Sequence, residues 1–253
     1  TLHGSSAASD VYKRQAWRYA LPRKISDQYA IRRYGFHGIS HQSVVKQAAS
    51  FLKTPVNKLN LITIHLGNGA SISAIKKGIC VDTTMGMTPL EGLVMGTRPG
   101  DLDPGILALL AREGWNQEAL ETMLNQDSGM KGLCGTNDFR EILQNKEEGN
   151  EEAEMALELY CYRVRKTIGS FSTVIGPVDA LVFTGGVGEN VPWVRERSVR
   201  AMEWMNIQLD PDMNDHVEAP CAIHSKDSQT KILVLPSEEL SLIHISEPTR
   251  PSS

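Results

Sequence analysis

Three short glycine-bearing blocks hold the side chains best suited to chemistry. They are Arg32-Arg33-Tyr34-Gly35-Phe36-His37-Gly38, His65-Leu66-Gly67-Asn68-Gly69 and Thr184-Gly185-Gly186-Val187-Gly188-Glu189-Asn190. Glycine lets backbone N–H groups approach a ligand with no Cβ in the way, and the neighbouring histidine, arginine and asparagine are natural donors to phosphate. The chemistry this suggests is phosphoryl transfer at a site without a Walker loop. Nothing in the chain matches G-x-x-x-x-G-K-[ST], and the third block does not satisfy G-x-G-x-x-G.

Each candidate carries an ordinary alternative beside the functional one. His37, between two glycines and just after Arg32 and Arg33, can donate a hydrogen bond to developing negative charge. His37 and His41 have metal-pair spacing for a helix, but Gly38 and a Ser40 cap argue against one helix holding both. That leaves His41 as a first-turn surface or packing residue. The second block is a phosphate-binding turn or a plain Asn-Gly hairpin. The third lies at the carboxyl end of a strand, where α/β proteins bind ligands, or is simply a tight strand–helix connection. Arg98, in the loop Thr97–Asp101, can grip a transferring phosphoryl group or pair with Asp101 or Asp103. Basic residues around Arg32 and Arg98 are local enough to serve one anionic ligand. Asp138-Phe139-Arg140 suits a ribose or base, or merely starts a helix. Glu238-Glu239 offers a carboxylate to Mg²⁺, or a solvated charge pair. No serine or cysteine sits in a recognisable nucleophile motif.

The elements that must position these residues follow an α/β pattern. Ser40 predicts a helix from His41 to about Leu52 with Val44, Val45, Ala48 and Leu52 on one face. Leu61–Leu66, Ala70–Ile75 and Ile79–Thr83 form a strand meander whose first turn is Gly67-Asn68-Gly69. Asp103-Pro104 opens a helix to about Arg112, another spans Gln117 to Gln126, and a short one follows Asn137-Asp138. A long helix follows Asn150, with Ala153, Ala156, Leu157, Tyr160, Val164, Ile168 and Phe171 at helical spacing. Asp179–Thr184 is a buried strand, Val191–Met205 a helix and Lys231–Leu235 the last strand. Residues 1–15 and 241–253 lack periodicity and are expected to be a non-native or disordered leader and tail.

Composition is that of a globular protein: 253 residues, 41% hydrophobic and 22% charged. A net charge of −4 argues against a nucleic-acid surface. The four cysteines are scattered without a C-x-x-C pair, which argues against a zinc site or disulfide scaffold and for a cytosolic protein. No apolar run reaches the roughly 18 residues that span a bilayer, and the start lacks an apolar signal-peptide core, so a cytoplasmic location is expected.

Taken together and in order, the blocks resemble the acetate kinase family over about Ala16 to Leu240. The stretches that carry the resemblance are RRYGFHGISH, HLGNGASISAIKKGICVDTTMGMTPLEGLVMGTRPGDLDPGI, DFR, FTGGVGEN and ILVLPSEEL. The resemblance implies an α/β, ribonuclease-H-like (actin-like ATPase) fold, a mixed sheet flanked by helices. It implies reversible, direct in-line transfer of the ATP γ-phosphoryl group to acetate, giving acetyl phosphate and ADP with Mg²⁺ (or Mn²⁺). His37 and Arg98 would stabilise the transferring group, and Phe36 and Pro89 would line the acetate pocket. His65, Leu66, Gly67, Asn68 and Gly69, with Asp138, Phe139 and Arg140 and with Gly186, Val187, Gly188, Glu189 and Asn190, would hold ATP. Glu238 would be a metal ligand. The family is dimeric, and a propionate or other short-chain carboxylate kinase is the near alternative. The family's first phosphate loop, an arginine and a catalytic aspartate have no counterpart here. Residues 16–240 are therefore expected to be the C-terminal, nucleotide-binding domain with half of an interdomain cleft. Alone, such a chain is expected to be inactive or very weak, or to bind nucleotide without catalysis.

Overall fold

The computed structural model describes residues 13–237. The meander predicted from the sequence is present as β1 (Asn60–Leu66), β2 (Ala70–Lys76) and β3 (Ile79–Thr83), paired antiparallel. Two further strands, β4 (Ala180–Thr184) and β6 (Lys231–Val234), lie parallel to β1 and to each other. A two-residue strand that the sequence did not announce, β5 (Cys221–Ala222), closes the far edge. The sheet is mixed, in the order β3-β2-β1-β4-β6-β5.

Side-chain alternation along β1 and β2 splits the interior into two layers. Ile62, Ile64, Leu66, Ala70, Ile72 and Ala74 point into the larger core, and Leu61 and Ile75 into the smaller one. The larger core is roofed by the long helix α8 (Glu151–Ile175), which packs on β1, β2 and β3. Asn150 caps α8 by accepting from Ala153 N at 3.0 Å, and Ala156, Leu157, Val164 and Ile168 along its inner stripe are fully buried. Removing most of a side chain such as Leu157 would cost about 2–5 kcal/mol. The smaller core lies under helix α3 (Gly38–Phe51), through Val44, Val45 and Ala48.

Before α3 come two short helices, α1 (Arg14–Trp17) and α2 (Arg23–Gln28). Arg14 and Gln15, assigned to the leader from sequence, thus begin a helical turn. Between β3 and α8 lie α4 (Pro104–Arg112), α5 (Gln117–Gln126), α6 (Gly129–Cys134) and α7 (Phe139–Glu147). Asp103 caps α4 as expected, accepting from Gly105 N at 2.8 Å. After β4 come α9 (Gly185–Asn190), α10 (Pro192–Val199) and, past a short 3-10 turn, α11 (Pro211–Asp215).

Two sequence expectations are corrected. Helix α3 starts three residues before His41: its N-cap is His37, in the left-handed conformation (φ 58°), and Ser40 lies buried inside the first turn. Ser40 does not cap because its hydroxyl is drawn 2.8 Å from His65 Nδ1 across the interface with β1. The single helix expected over 191–205 is shorter: α10 runs only from Pro192 to Val199, and Glu203–Met205 is a separate 3-10 turn. Pro192 sits at the first position of α10 as expected, and because it supplies no N–H it also separates α10 from α9.

Candidate active site

The three glycine blocks meet at the carboxyl ends of β1 and β4. These strands are parallel neighbours, with His65 paired to Thr184, so the turn after β1 and the helix after β4 emerge side by side. Gly185 makes the join possible: its φ is 79°, and a Cβ there would lie 2.7 Å from Leu66 O. The third block is therefore not a loop but the helix α9 itself. Val187 packs against the larger core, while Gly186 is exposed with open space around it. Glu189 turns inward and accepts from Gly185 N (2.9 Å) and Ser237 N (3.0 Å), and Asn190 donates to Gly186 O (2.9 Å). Both side chains brace the block.

The first block arrives through α3. His37 stacks on His65, ring centroids 4.3 Å apart, and its Nδ1 lies 2.9 Å from Ser71 Oγ. His41 is not a surface residue. It is 3% exposed, with Nδ1 2.8 Å from Thr63 Oγ1 and Nε2 2.7 Å from the same Ser71 hydroxyl. Burial together with the neighbouring His65 and His37 holds the His41 imidazole well below the ordinary histidine range. Burial likewise lowers His65 to about 4. These side chains share one surface because Thr63, His65, Ser71 and Ser73 alternate onto the α3 face of β1 and β2. At this end of the sheet that face is polar, and α3 meets it with Ser40 and His41.

Arg98 completes the cluster. A Cβ on Gly69 would lie 3.3 Å from His37 Cε1 and Nε2 and 3.9 Å from Arg98 Nη1, so the turn glycine sits between the two. Pro89 is here as well, its carbonyl 3.5 Å from Arg98 Nη1. Arg98 makes no ion pair among the described residues, and its buried Nε has no hydrogen-bond partner. Neither Asp101 nor Asp103 pairs with it; their carboxylates instead accept from Gly92 N and Gly105 N at 2.8 Å. Helix α6, which sequence reading missed, backs the Arg98 loop: Met130 N and Lys131 N each donate at 2.9 Å, to Met95 O and Gly96 O.

Asn68 is fixed from the other side. Its Oδ1 accepts from Asn137 Nδ2 at 2.9 Å, and its carbonyl accepts from Gly96 N at 2.9 Å. This docks the second block beside Asp138. Asp138 caps α7 and pairs with Arg140 at 2.7 Å, which holds its carboxyl down to about 2. Phe139 cannot stack on a base, because it is buried edge-on against Tyr160, centroids 5.0 Å apart. Phe36 packs against the larger core.

Arg33 is not available to an anionic ligand. It donates to the carbonyls of Thr83, Thr84, Met85 and Ala16 and pairs with Glu91, which also accepts from Tyr19. Burial and the Glu91 contact push the Tyr19 hydroxyl up to about 12. Arg32 lies over the Trp17 and Tyr34 rings. Glu238 lies outside the described residues. Among the described residues no group of three His, Cys, Asp or Glu could hold a metal ion, and no helix is long and apolar enough to cross a membrane.

Sequence reading also missed Arg195, which is fully buried on α10. It donates to Gly188 O and Glu189 O at 2.9 Å and to Asn214 Oδ1 and O at 2.8 Å, holding the carboxyl end of α9. Burial lowers its guanidinium to about 10.

Known proteins reproduce this arrangement over nearly the whole chain. An acetate kinase of Sulfurovum sp. is 51% identical over 236 residues, 92% of this chain and 60% of that protein. Among solved structures, Porphyromonas gingivalis acetate kinase superposes with a TM-score of 0.89 at 42% identity, covering 92% of this chain and 59% of that one. A propionate kinase from Francisella tularensis gives 0.84 at 40% identity, over 89% and 58%. The chain thus spans about three-fifths of the length of these relatives, and its mixed sheet between helices is their actin-like α/β fold. The acetokinase family model matches residues 8–244. With one continuous family match and half the positions of a relative identical, the chain belongs to the acetokinase family.

Proposed function

We propose that this chain carries the nucleotide-side part of a carboxylate kinase cleft, and that the complete site moves a phosphoryl group between ATP and acetate. The observation that carries the reading is the convergence of His37 and Arg98 on Gly69, with the buried Arg98 Nε left without a hydrogen-bond partner among the described residues. Two cationic or hydrogen-bonding groups flanking a glycine turn suit an oxygen-rich group of two to three negative charges. In this reading acetate oxygen attacks the γ-phosphorus in line, His37 and Arg98 meet the charge on the equatorial oxygens, and Pro89 and Phe36 bound the methyl side of the acceptor. Backbone at Gly67, Gly69 and exposed Gly186 approaches the nucleotide, with Asp138 and Arg140 at the rim. Leu66 and Val187 contribute backbone only, and Glu189 and Asn190 hold the α9 turn in shape.

Mg²⁺ (or Mn²⁺) fits this site as a companion of the nucleotide rather than as a resident ion. The described residues offer no three-ligand cluster, and Mg²⁺ is commonly held by one carboxylate together with substrate phosphates. Glu238 would supply that carboxylate, and the ion would neutralise phosphate charge. The family resemblance implies a cytoplasmic enzyme that pairs as a homodimer.

The second reading is a propionate or other short-chain carboxylate kinase, favoured by the similarity to the Francisella tularensis propionate kinase. The test is acetyl hydroxamate formation, run on this chain and on one extended N-terminally to the family's full length. Activity only in the extended protein is expected. Loss of about 10²–10³ in rate should follow replacing His37 or Arg98 by alanine, and near-normal turnover in both variants would sink these roles. Comparing acetate, propionate and butyrate on the extended protein separates the two readings.

A further inference from the structure

One guanidinium ties together the two stretches of chain that bring in the site residues. From Thr84 to Asp103 the chain holds no helix or strand, yet Pro89 and Arg98 lie on it. Such a loop has no ladder of its own to fix it, so bonds to its neighbours must do so. Arg33 Nη1 donates to Thr83 O, Thr84 O and Met85 O at 3.0, 2.8 and 3.2 Å, and its Nε to Ala16 O at 3.2 Å. Its Nη2 pairs with one oxygen of Glu91, whose other oxygen accepts from the Tyr19 hydroxyl. That hydroxyl in turn accepts from Met87 N at 3.0 Å. Backbone doubles the link, since Tyr34 N and Gly35 N donate to Gly86 O at 3.0 and 3.2 Å. The Arg33 and Glu91 side chains are only 17% and 30% exposed, so water competes little for this pair.

We propose that Arg33, Glu91 and Tyr19 are positioning residues whose clamp sets the spacing between the His37 and Arg98 sides of the cleft, and with it the room for the acceptor's alkyl group. Arg33 lies three residues before Phe36 and four before His37, and Glu91 two after Pro89, so the pair joins these stretches close to the residues that matter. Arg98 Nη1 lies 3.5 Å from Pro89 O, so the clamped stretch carries both together toward Gly69. Gly86 is shaped to the clamp: a Cβ there would run into Glu91 Oε2 and the Tyr19 hydroxyl and lie 2.8 Å from Glu91 Cδ. Its φ is not positive, so space rather than backbone conformation calls for glycine. Arginine suits the hub because its fork serves several acceptors at fixed angles, which an ammonium does not. The clamp stands on geometry alone, whereas its effect on the acceptor rests on the kinase reading above. In that reading a misplacement of about 1 Å costs about 10²-fold in rate. A fitted pocket also discriminates one methylene by about 10- to 200-fold, and a wall that yields forfeits that margin.

The test compares Tyr19→Phe, Glu91→Ala and Glu91→Gln with the parent, all in the protein extended N-terminally to the family's full length. Amide hydrogen exchange at Tyr34 and Gly35 reads the clamp, and hydroxamate kinetics with acetate and butyrate read the acceptor. Tyr19→Phe keeps the ring and removes only the hydroxyl, and exchange at the two amides should quicken about 10-fold or more. For Glu91→Ala, kcat/KM for acetate should fall about 10- to 100-fold while the KM for ATP stays within about twofold. The ratio of kcat/KM for butyrate to that for acetate should rise about 10-fold. Glu91→Gln, which keeps the shape and one good acceptor, should restore part of each effect. Exchange unchanged from the parent overturns the clamp. Faster exchange with an unchanged butyrate-to-acetate ratio overturns the acceptor role and leaves a structural link. If the extended parent makes no acyl phosphate from either acid, the kinase reading fails and the acceptor role with it, while exchange still decides the clamp. Should the Glu91 variants not fold, Tyr19→Phe decides by the same readings.

Discussion

Gly96→Ala tests whether the Gly67-Asn68-Gly69 turn serves a ligand or only the fold. A Cβ at Gly96 would lie 2.1 Å from Asn68 Oδ1, 3.1 Å from its Cγ and 3.2 Å from Asn137 Nδ2. The amide must retreat by roughly 1 Å to reach a tolerable contact, and a side-chain rotation achieves this. What is lost is the Asn137–Asn68 bond, while Gly96 N still donates to Asn68 O at 2.9 Å. One exposed hydrogen bond is worth about 1 kcal/mol, and the stiffer unfolded chain of alanine returns about 0.4–1 kcal/mol. Stability should therefore stay within about 1 kcal/mol, a shift in Tm of no more than about 2–4 °C. Ligand binding should respond differently. An amide donor to phosphate is a hydrogen bond to a charged group, about 1.5–3 kcal/mol, so ATP affinity should fall about 10- to 100-fold. Calorimetric titration with ATP and thermal unfolding on the same samples give both numbers. The contrasting control is Gly129→Ala, whose Cβ would lie 2.2 Å from Met95 O and 2.7 Å from Arg98 O at φ 62°. Backbone cannot rotate away, so this variant should lose several kcal/mol of stability. ATP bound by Gly96→Ala as tightly as by the parent would refute the assignment of Asn68 to the nucleotide and leave a plain hairpin turn.

Two further outcomes follow from the buried groups. Arg195→Met leaves Gly188 O, Glu189 O and both Asn214 oxygens without their donor. It should cost about 3–5 kcal/mol in urea unfolding, and a cost below about 1 kcal/mol would show that water replaces the guanidinium. His65 binds its proton less readily folded, near pH 4, than unfolded, near 6.5, so the unfolded state takes up more protons between those values. Stability present at pH 7 should fall as pH drops from about 6.5 to 4, by on the order of 3 kcal/mol from this residue. His65→Gln should flatten that part of the profile, and identical slopes for the two proteins would refute the assignment.

The buried polar face of the sheet explains both what the sequence disclosed and what it concealed. Strand ends were legible because glycine and asparagine break the runs at 67–69 and 185–188, and because Asp103, Asn116 and Asn150 announce helices by local capping chemistry. The tertiary partners of Thr63, His65, Ser71 and Ser73 were not, because a strand buried on both faces shows no polar side to solvent. Its alternation then reports which helix covers each face rather than inside and outside. Here Ile62, Ile64 and Leu66 meet α8, while Thr63 and His65 meet α3. The same reasoning accounts for the misread start of α3. Ser40 and His41 look like a cap and a first-turn surface or packing residue to any local rule, and the polar strand opposite is what makes burying them favourable. Phe139 and Arg33 erred the other way, as chemistry-bearing side chains claimed by the core and by backbone carbonyls. A recognition motif therefore transfers position by position with unequal force. Arg98, beside Gly69, keeps a buried Nε without a hydrogen-bond partner among the described residues, whereas Phe139 and Glu189 have already spent their capacity on the fold. Substitution of Arg98 should therefore change ligand affinity at nearly constant stability, and substitution of the other two should change stability first.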